Sequence, residues 1–109
     1  MKVSICDAGK AKIVEVDGNV ALGTSPDLRR ALFQILPDAP RVALNLAAIH
    51  YIDSSGIATL IEVLKDSQRR HKEFVLFWPN PVVEQVFRLT HVERIFQVFR
   101  TEAEALESA

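Results

Sequence analysis

Cysteine is nearly absent. Cys6 stands alone, which excludes an internal disulfide and any cysteine-built zinc knuckle. Glycine is sparse and its four copies are isolated, so the chain carries no glycine-rich loop to cradle a nucleotide phosphate. Neither sign of charge dominates. With a formal net charge of −1 and no Lys/Arg cluster interleaved with aromatics, the electrostatic footprint of a DNA- or RNA-binding protein is missing, and no nucleic acid partner is expected. The three histidines, His50, His71 and His91, are scattered without a second ligand at helical metal spacing, so neither a metal nor a cofactor is expected. There is no signal-peptide-like apolar segment and no run of about 18 apolar residues to span a bilayer, from which no membrane insertion and a cytoplasmic location are expected.

What the chain does have is apolar content. Hydrophobic residues fill 49% of its 109 positions, enough for one sizeable core but not for two, so residues 1–109 read as a single domain. Residues 2–7 and 12–16 are short alternating or β-branched runs separated by Ala8-Gly9-Lys10, which suits a hairpin. A first helix follows. Thr24 or Ser25 can cap it, Pro26 suits its first turn, and Leu28, Leu32, Ile35 and Leu36 supply its apolar face before Pro37 and Pro40 end the pattern. Beyond it the spacing predicts a buried strand at 41–46, a short apolar return at 49–52, a helix at 54–70, a strand at 73–78 and a helix starting at Pro81 after Asn80 and running to 90. A short strand near 95–98 and a last helix at 101–108 complete the series. The alternation implies an α/β fold, with largely parallel pairing after the opening hairpin and right-handed crossovers.

Chemistry concentrates at Ile52-Asp53-Ser54-Ser55-Gly56, where strand gives way to helix. Ile57, Leu60, Ile61 and Leu64 follow at i, i+3, i+4, i+7 spacing and define one buried helical face, which makes Ser54 the expected N-cap. A hydroxyl there faces unpaired backbone N–H groups and the positive end of the helix dipole, so a phosphate added to it has an electrostatic home. Capping alone also accounts for a serine, since replacing such a cap by alanine costs about 0.5–2 kcal/mol. Gly56 in the first turn is expected to leave the backbone open to another molecule. On the outer face of the same helix, Glu62 with Lys65, and Asp66 with Arg69 and Arg70, are expected to form solvated pairs, and His71 can take a left-handed cap conformation. Catalysis fits these residues poorly. Asp53 adjoins Ser54 and His50 lies four positions before it, but neighbours in a strand and turn do not thereby gain triad geometry, and no G-x-S-x-G elbow surrounds the serine. A non-enzyme is expected.

The stretch 41–98, with D-S-S-G-I at 53–57, the amphipathic helix, the strand at 73–78 and the N-P-x-V-x-x-V-F-x-L-T segment at 80–90, resembles STAS domains, specifically bacterial anti-sigma factor antagonists. The resemblance implies a STAS-like single domain: a central mixed β-sheet of four to five strands with about four helices. It also implies phosphorylation of Ser54 by a partner kinase and partner binding through Asp53, Ser54, Ser55 and Gly56. The implied partners are an anti-sigma factor with serine-kinase activity, docked when Ser54 is unmodified and released by phosphorylation, and a serine phosphatase that restores docking. Two departures stand out: Gly18 is followed by Asn19, Val20 and Ala21 where the family commonly has an acidic residue, and Arg70-His71-Lys72 replaces a frequent helix-ending glycine. An alternative role is that of a non-catalytic STAS subunit in a lipid-transport ATPase complex. Phe96 and Phe99 are expected to pack under the last helix, with a dimer contact as the other option, and the oligomeric state stays open.

Overall fold

The computed structural model describes residues 1–107. Strands β1 (Lys2–Ala8) and β2 (Ala11–Val20) form an antiparallel hairpin. Then come α1 (Ser25–Ile35), β3 (Arg41–Asn45), β4 (Ile49–Ile52), α2 (Ser54–Arg69), β5 (Glu73–Phe77), α3 (Pro81–Thr90), β6 (Val98–Phe99) and α4 (Glu102–Glu107). The sheet runs β1-β2-β3-β5-β6, every pair after the hairpin being parallel. A sixth strand joins it from the side, because β2 runs four residues past the expected end at 16 and serves two parallel neighbours in succession. Its first half pairs with β3, and residues 18–20 pair with β4. The ladder shifts register between Gly18 and Asn19, where Gly18 has φ +123°, a conformation that side chains disfavour.

Strand alternation divides the core. Val42, Leu44, Phe74 and Leu76 face the layer of α1, α2 and α3 and meet Leu28, Leu32, Leu60, Val63, Val83 and Phe87. Ala43, Val75 and Phe77 face the other way with Ile13, covered by Ala105 of α4. All five residues of β3 are buried, as the unbroken apolar run at its centre predicts for a strand covered on both faces. The two phenylalanines near the C-terminus part company. Phe99 packs with Ala105 and Leu106 as expected, whereas Phe96 lies across the sheet from α4, stacked on Phe87 at 6.2 Å and edge-on to Phe74 at 6.4 Å. A 3-10 turn at Val92–Arg94 causes this by turning the chain inward at Val92 before β6 begins. The last helix starts one residue later than expected, and residue 108 lies outside the described residues.

The carboxyl ends of β2, β4 and β5 lead to the starts of α1, α2 and α3, the end of an α/β sheet where sites form. Asn80 pins this end together. Its carbonyl oxygen caps α3 by accepting from Val83 N at 2.9 Å, while its amide donates to the carbonyls of Leu46, Ala47 and Ile49. His71 takes the expected left-handed conformation, with φ +58°, just past α2.

Candidate functional site

Three cap-competent side chains follow one another at the start of α2, and the structure selects the first of them. Asp53 is extended (φ −109°, ψ −171°), its carbonyl receives Ile57 N at 3.0 Å, and its Oδ1 accepts from Ser55 N at 2.9 Å and Gly56 N at 3.1 Å. The expectation that Ser54 caps this helix is therefore corrected: Asp53 is the N-cap and Ser54 the first helical residue. Aspartate and serine rank equally as caps, so backbone register decides between them. Asp53 N donates to Val20 O at 3.2 Å, which fixes the extended residue at the end of β4 beside β2.

The hydroxyls around this start differ sharply in their engagement. Ser54 is exposed and its hydroxyl makes no hydrogen bond among the described residues. Ser55, half-buried, donates to Asp53 Oδ1 at 2.6 Å and accepts a long bond of 3.4 Å from Ser25 Oγ. Ser25 is only 5% exposed, and Thr24 Oγ1 donates to Asn19 O at 2.7 Å while accepting from Ala21 N at 2.9 Å. The loop between β2 and α1 is thereby folded against the start of α2, with Leu22 held out to solvent at 78% exposure. Sequence reasoning overlooked Leu22, Thr24 and Ser25 as neighbours of the motif, because some 30 residues separate them from it along the chain. The cluster of small hydroxyl residues after β2 was the available signal.

Gly56 is buried, contrary to the expectation of an open backbone. A β-carbon there would lie 2.7 Å from Ile52 Cγ1 and 2.8 Å from Val20 O, so its bareness accommodates the chain's own strands rather than another molecule. The charged face of α2 also differs in part. Asp66 pairs with Arg69 and Arg70 as expected but is itself largely buried, and Glu62 reaches Arg29 of α1 at 2.8 Å, so that its bond runs between helices instead of to Lys65.

Electrostatically the helix start is already occupied. The Ser55 hydroxyl, and then the backbone N–H groups of Gly56, Ser55 and Leu22, hold the Asp53 carboxyl below its ordinary value near 3.8 against the opposing effect of desolvation. Arg70, then Arg69, does the same for Asp66. Both groups are more acidic folded than unfolded, so their stabilisation is in place above the unfolded value and is lost as pH falls through the folded values. Urea midpoints are expected to drop between about pH 5 and pH 2, and less steeply in Asp66→Asn. An unchanged acid slope in that variant would show that the Arg69 and Arg70 pairs carry none of the effect.

With Asp53 Oδ1 taking two N–H groups, the electrostatic home expected for a phosphate on Ser54 is largely filled. A dianion there would stand beside a carboxylate and in solvent. His50 Nε2 is turned to Asp17, 3.4 Å away, and not to Ser54. A cleft of about 400 Å³ opens elsewhere, lined by residues that include Glu84, Phe87, Arg88 and Arg100 but by none from the α2 start, which is an outward surface. Among the described residues no group of three or more His, Cys, Asp or Glu is placed to hold a metal, and no helix is long and apolar enough to cross a membrane.

A mixed sheet carries helix starts at one end, and the exposed Ser54 lies on the outward surface there. The STAS domain family model matches residues 4–105, and the chain belongs to that family. A Thermotoga maritima protein named as a candidate anti-sigma factor antagonist is 33% identical over 67 residues, which cover 62% of this chain and 59% of the relative's length. The anti-sigma-B factor antagonist of Staphylococcus aureus is 26% identical over 86 residues, covering 78% of this chain and 80% of that one. The crystal structure of an anti-sigma factor antagonist from Mycobacterium paratuberculosis superimposes with a TM-score of 0.86 at 22% identity, over 96% of this chain and 90% of the other, a likeness of fold.

Proposed function

We propose that this STAS domain is an anti-sigma factor antagonist working by partner exchange in the cytoplasm. Unmodified, it docks through the surface around Ser54, with Asp53 and Ser55 at its edge, Gly56 packed beneath and Leu22 beside it, onto an anti-sigma factor with serine-kinase activity, and the sigma factor is released. Phosphorylation of Ser54 ends the docking, and a serine phosphatase restores it. In this cycle the chain is a phosphoryl acceptor and not a catalyst. The observation that carries the reading is the Ser54 hydroxyl, exposed and, among the described residues, unpartnered in the first turn of α2 while its neighbours are engaged. Names borne by relatives from Thermotoga and Staphylococcus support the same role.

The test is to incubate the protein with its co-purifying kinase and a nucleoside triphosphate and to map the product by mass spectrometry. Phosphate on Ser54, with loss of kinase binding, is the expected result; an unmodified Ser54 after full turnover of the kinase on a control substrate would reject the reading. One observation favours a second role, as a non-catalytic subunit of a lipid-transport ATPase complex: the loop after β2 presents the apolar Leu22, with no acidic residue between Gly18 and Thr24. Co-purification with a transporter ATPase in place of a kinase-type ATPase would select it.

A further inference from the structure

Two serines stand side by side at the start of α2, and both are within reach of a partner that approaches this end of the sheet. They are chemically unequal. The only hydroxyl proton of Ser55 is directed at Asp53 Oδ1, 2.6 Å away, and its oxygen lies 3.4 Å from the buried Ser25. The same carboxylate oxygen collects the N–H groups of Ser55 and Gly56, so it is held over the helix axis and makes no hydrogen bond to Ser54.

We propose that Ser55 is a positioning residue that makes Ser54 the single phosphoryl acceptor: by clamping Asp53 it withdraws its own hydroxyl from transfer and keeps the carboxylate turned away from the Ser54 hydroxyl. This rests on the partner-exchange reading. In the transfer, Ser54 Oγ attacks the γ-phosphorus of a nucleoside triphosphate held by the kinase. The new O–P bond forms as the bond to the β-bridging oxygen breaks, the nucleoside diphosphate leaves with the electron pair, and the serine proton passes to a base of the kinase. Ser55 is disfavoured as the attacking group on three counts. Its proton is committed to a carboxylate, the residue is half-buried, and a phosphate on it would stand in direct contact with the Asp53 anion. Ser54 is exposed and its proton is not committed to the carboxylate; a phosphate on it would stand beside Asp53 but in solvent, and transfer to it needs the Asp53 charge to remain where the helix N–H groups neutralise it. The depressed Asp53 carboxyl, owed first to the Ser55 hydroxyl, is consistent with such a clamp.

The experiment uses the full chain in two arms. In the first, the Asp53 carboxyl is titrated by carbon-detected NMR in the native protein and in Ser55→Ala, Ser55→Thr and Ser54→Ala, with no kinase present. Ser55→Ala is expected to raise it towards the ordinary carboxylate range, Ser55→Thr to restore it, and Ser54→Ala to leave it in place; an unmoved Asp53 in Ser55→Ala overturns the clamp whatever the kinase does. In the second arm, transfer from nucleoside triphosphate is timed with the co-purifying kinase. Ser55→Ala is expected to lower the transfer rate about tenfold with little change in KM, as the loss of one charge-assisted hydrogen bond implies, and Ser55→Thr to recover it. Ser54→Ala is expected to take no phosphate at Ser55, and finding it there within tenfold of the native rate overturns the proposal. If even the native protein takes no phosphate, the partner-exchange reading fails by itself, and the titration still decides the clamp.

Discussion

Ser54→Asp is expected, on the proposed partner-exchange role, to weaken docking on the anti-sigma factor about a hundredfold while leaving the fold intact. The added carboxylate finds no donors waiting for it, because Asp53 Oδ1 already takes the N–H groups of Ser55 and Gly56. In solvent the extra charge is hydrated and costs little. Inside a closely packed interface it must be stripped of water next to Asp53, and a penalty of about 3 kcal/mol is a conservative figure for a desolvated charge with no opposing cation. That is enough to change partners without unfolding the domain. Ser54→Ala separates this charge effect from a structural one. Since the cap is Asp53, alanine at 54 is expected to change stability by less than about 0.5 kcal/mol and to keep native affinity, whereas a capping serine would lose about 0.5–2 kcal/mol. Calorimetric titration of the purified anti-sigma factor with the three proteins measures all of this; binding by Ser54→Asp within about threefold of native would remove charge as the basis of the switch.

Much of this architecture is legible in the residues. On α2 Ile57 and Leu60 are buried as expected, while Ile61 and Leu64 are only partly buried and Val63 enters the core; Asn80 caps α3 where the Asn-Pro signal predicts it, and Pro26, Leu28, Leu32 and Ile35 mark α1. These features are local, and each follows from one stretch of chain. What escaped depends on pairing between distant stretches. Asp17-Gly18-Asn19 has the composition of a turn, yet these residues stay in β2 because Lys2 of β1 pairs with Asp17 and β4 offers Gly18 and Asn19 a parallel edge. The identity of the α2 cap escaped for a related reason. Asp53, Ser54 and Ser55 can all cap, and the choice falls to Asp53 through a hydrogen bond to Val20 on another strand. The exposure of Ser54 at the helix start was legible; the burial of Gly56 and the engagement of Ser55 with Ser25 were not, since both arise where β2, α1 and α2 converge.

That convergence makes Gly56 the most sensitive position near the site. Gly56→Ala would place a methyl group 2.7 Å from Ile52 Cγ1, 2.8 Å from Val20 O and 2.9 Å from Val20 Cγ1. Neither neighbour is free to retreat, because Val20 and Ile52 are both core residues and Val20 O is the acceptor that holds Asp53 N. Overpacking of this kind costs about 3 kcal/mol at its upper end, and the better helix propensity of alanine returns about 1 kcal/mol, so a net loss of about 2 kcal/mol is expected. For a domain of this size that lowers the thermal midpoint by about 10 °C. Gly23→Ala is the matched control: a β-carbon there meets nothing within 4 Å and its backbone is not left-handed, so stability should stay within about 0.5 kcal/mol of native. Because relief of the clash must displace either the start of α2 or the end of β2, Gly56→Ala should also weaken docking through Ser54 even where the protein remains folded. A native thermal midpoint in Gly56→Ala would mean that α2 can ride away from β2 and β4 freely, and the fixed placement of Ser54 would have to be given up.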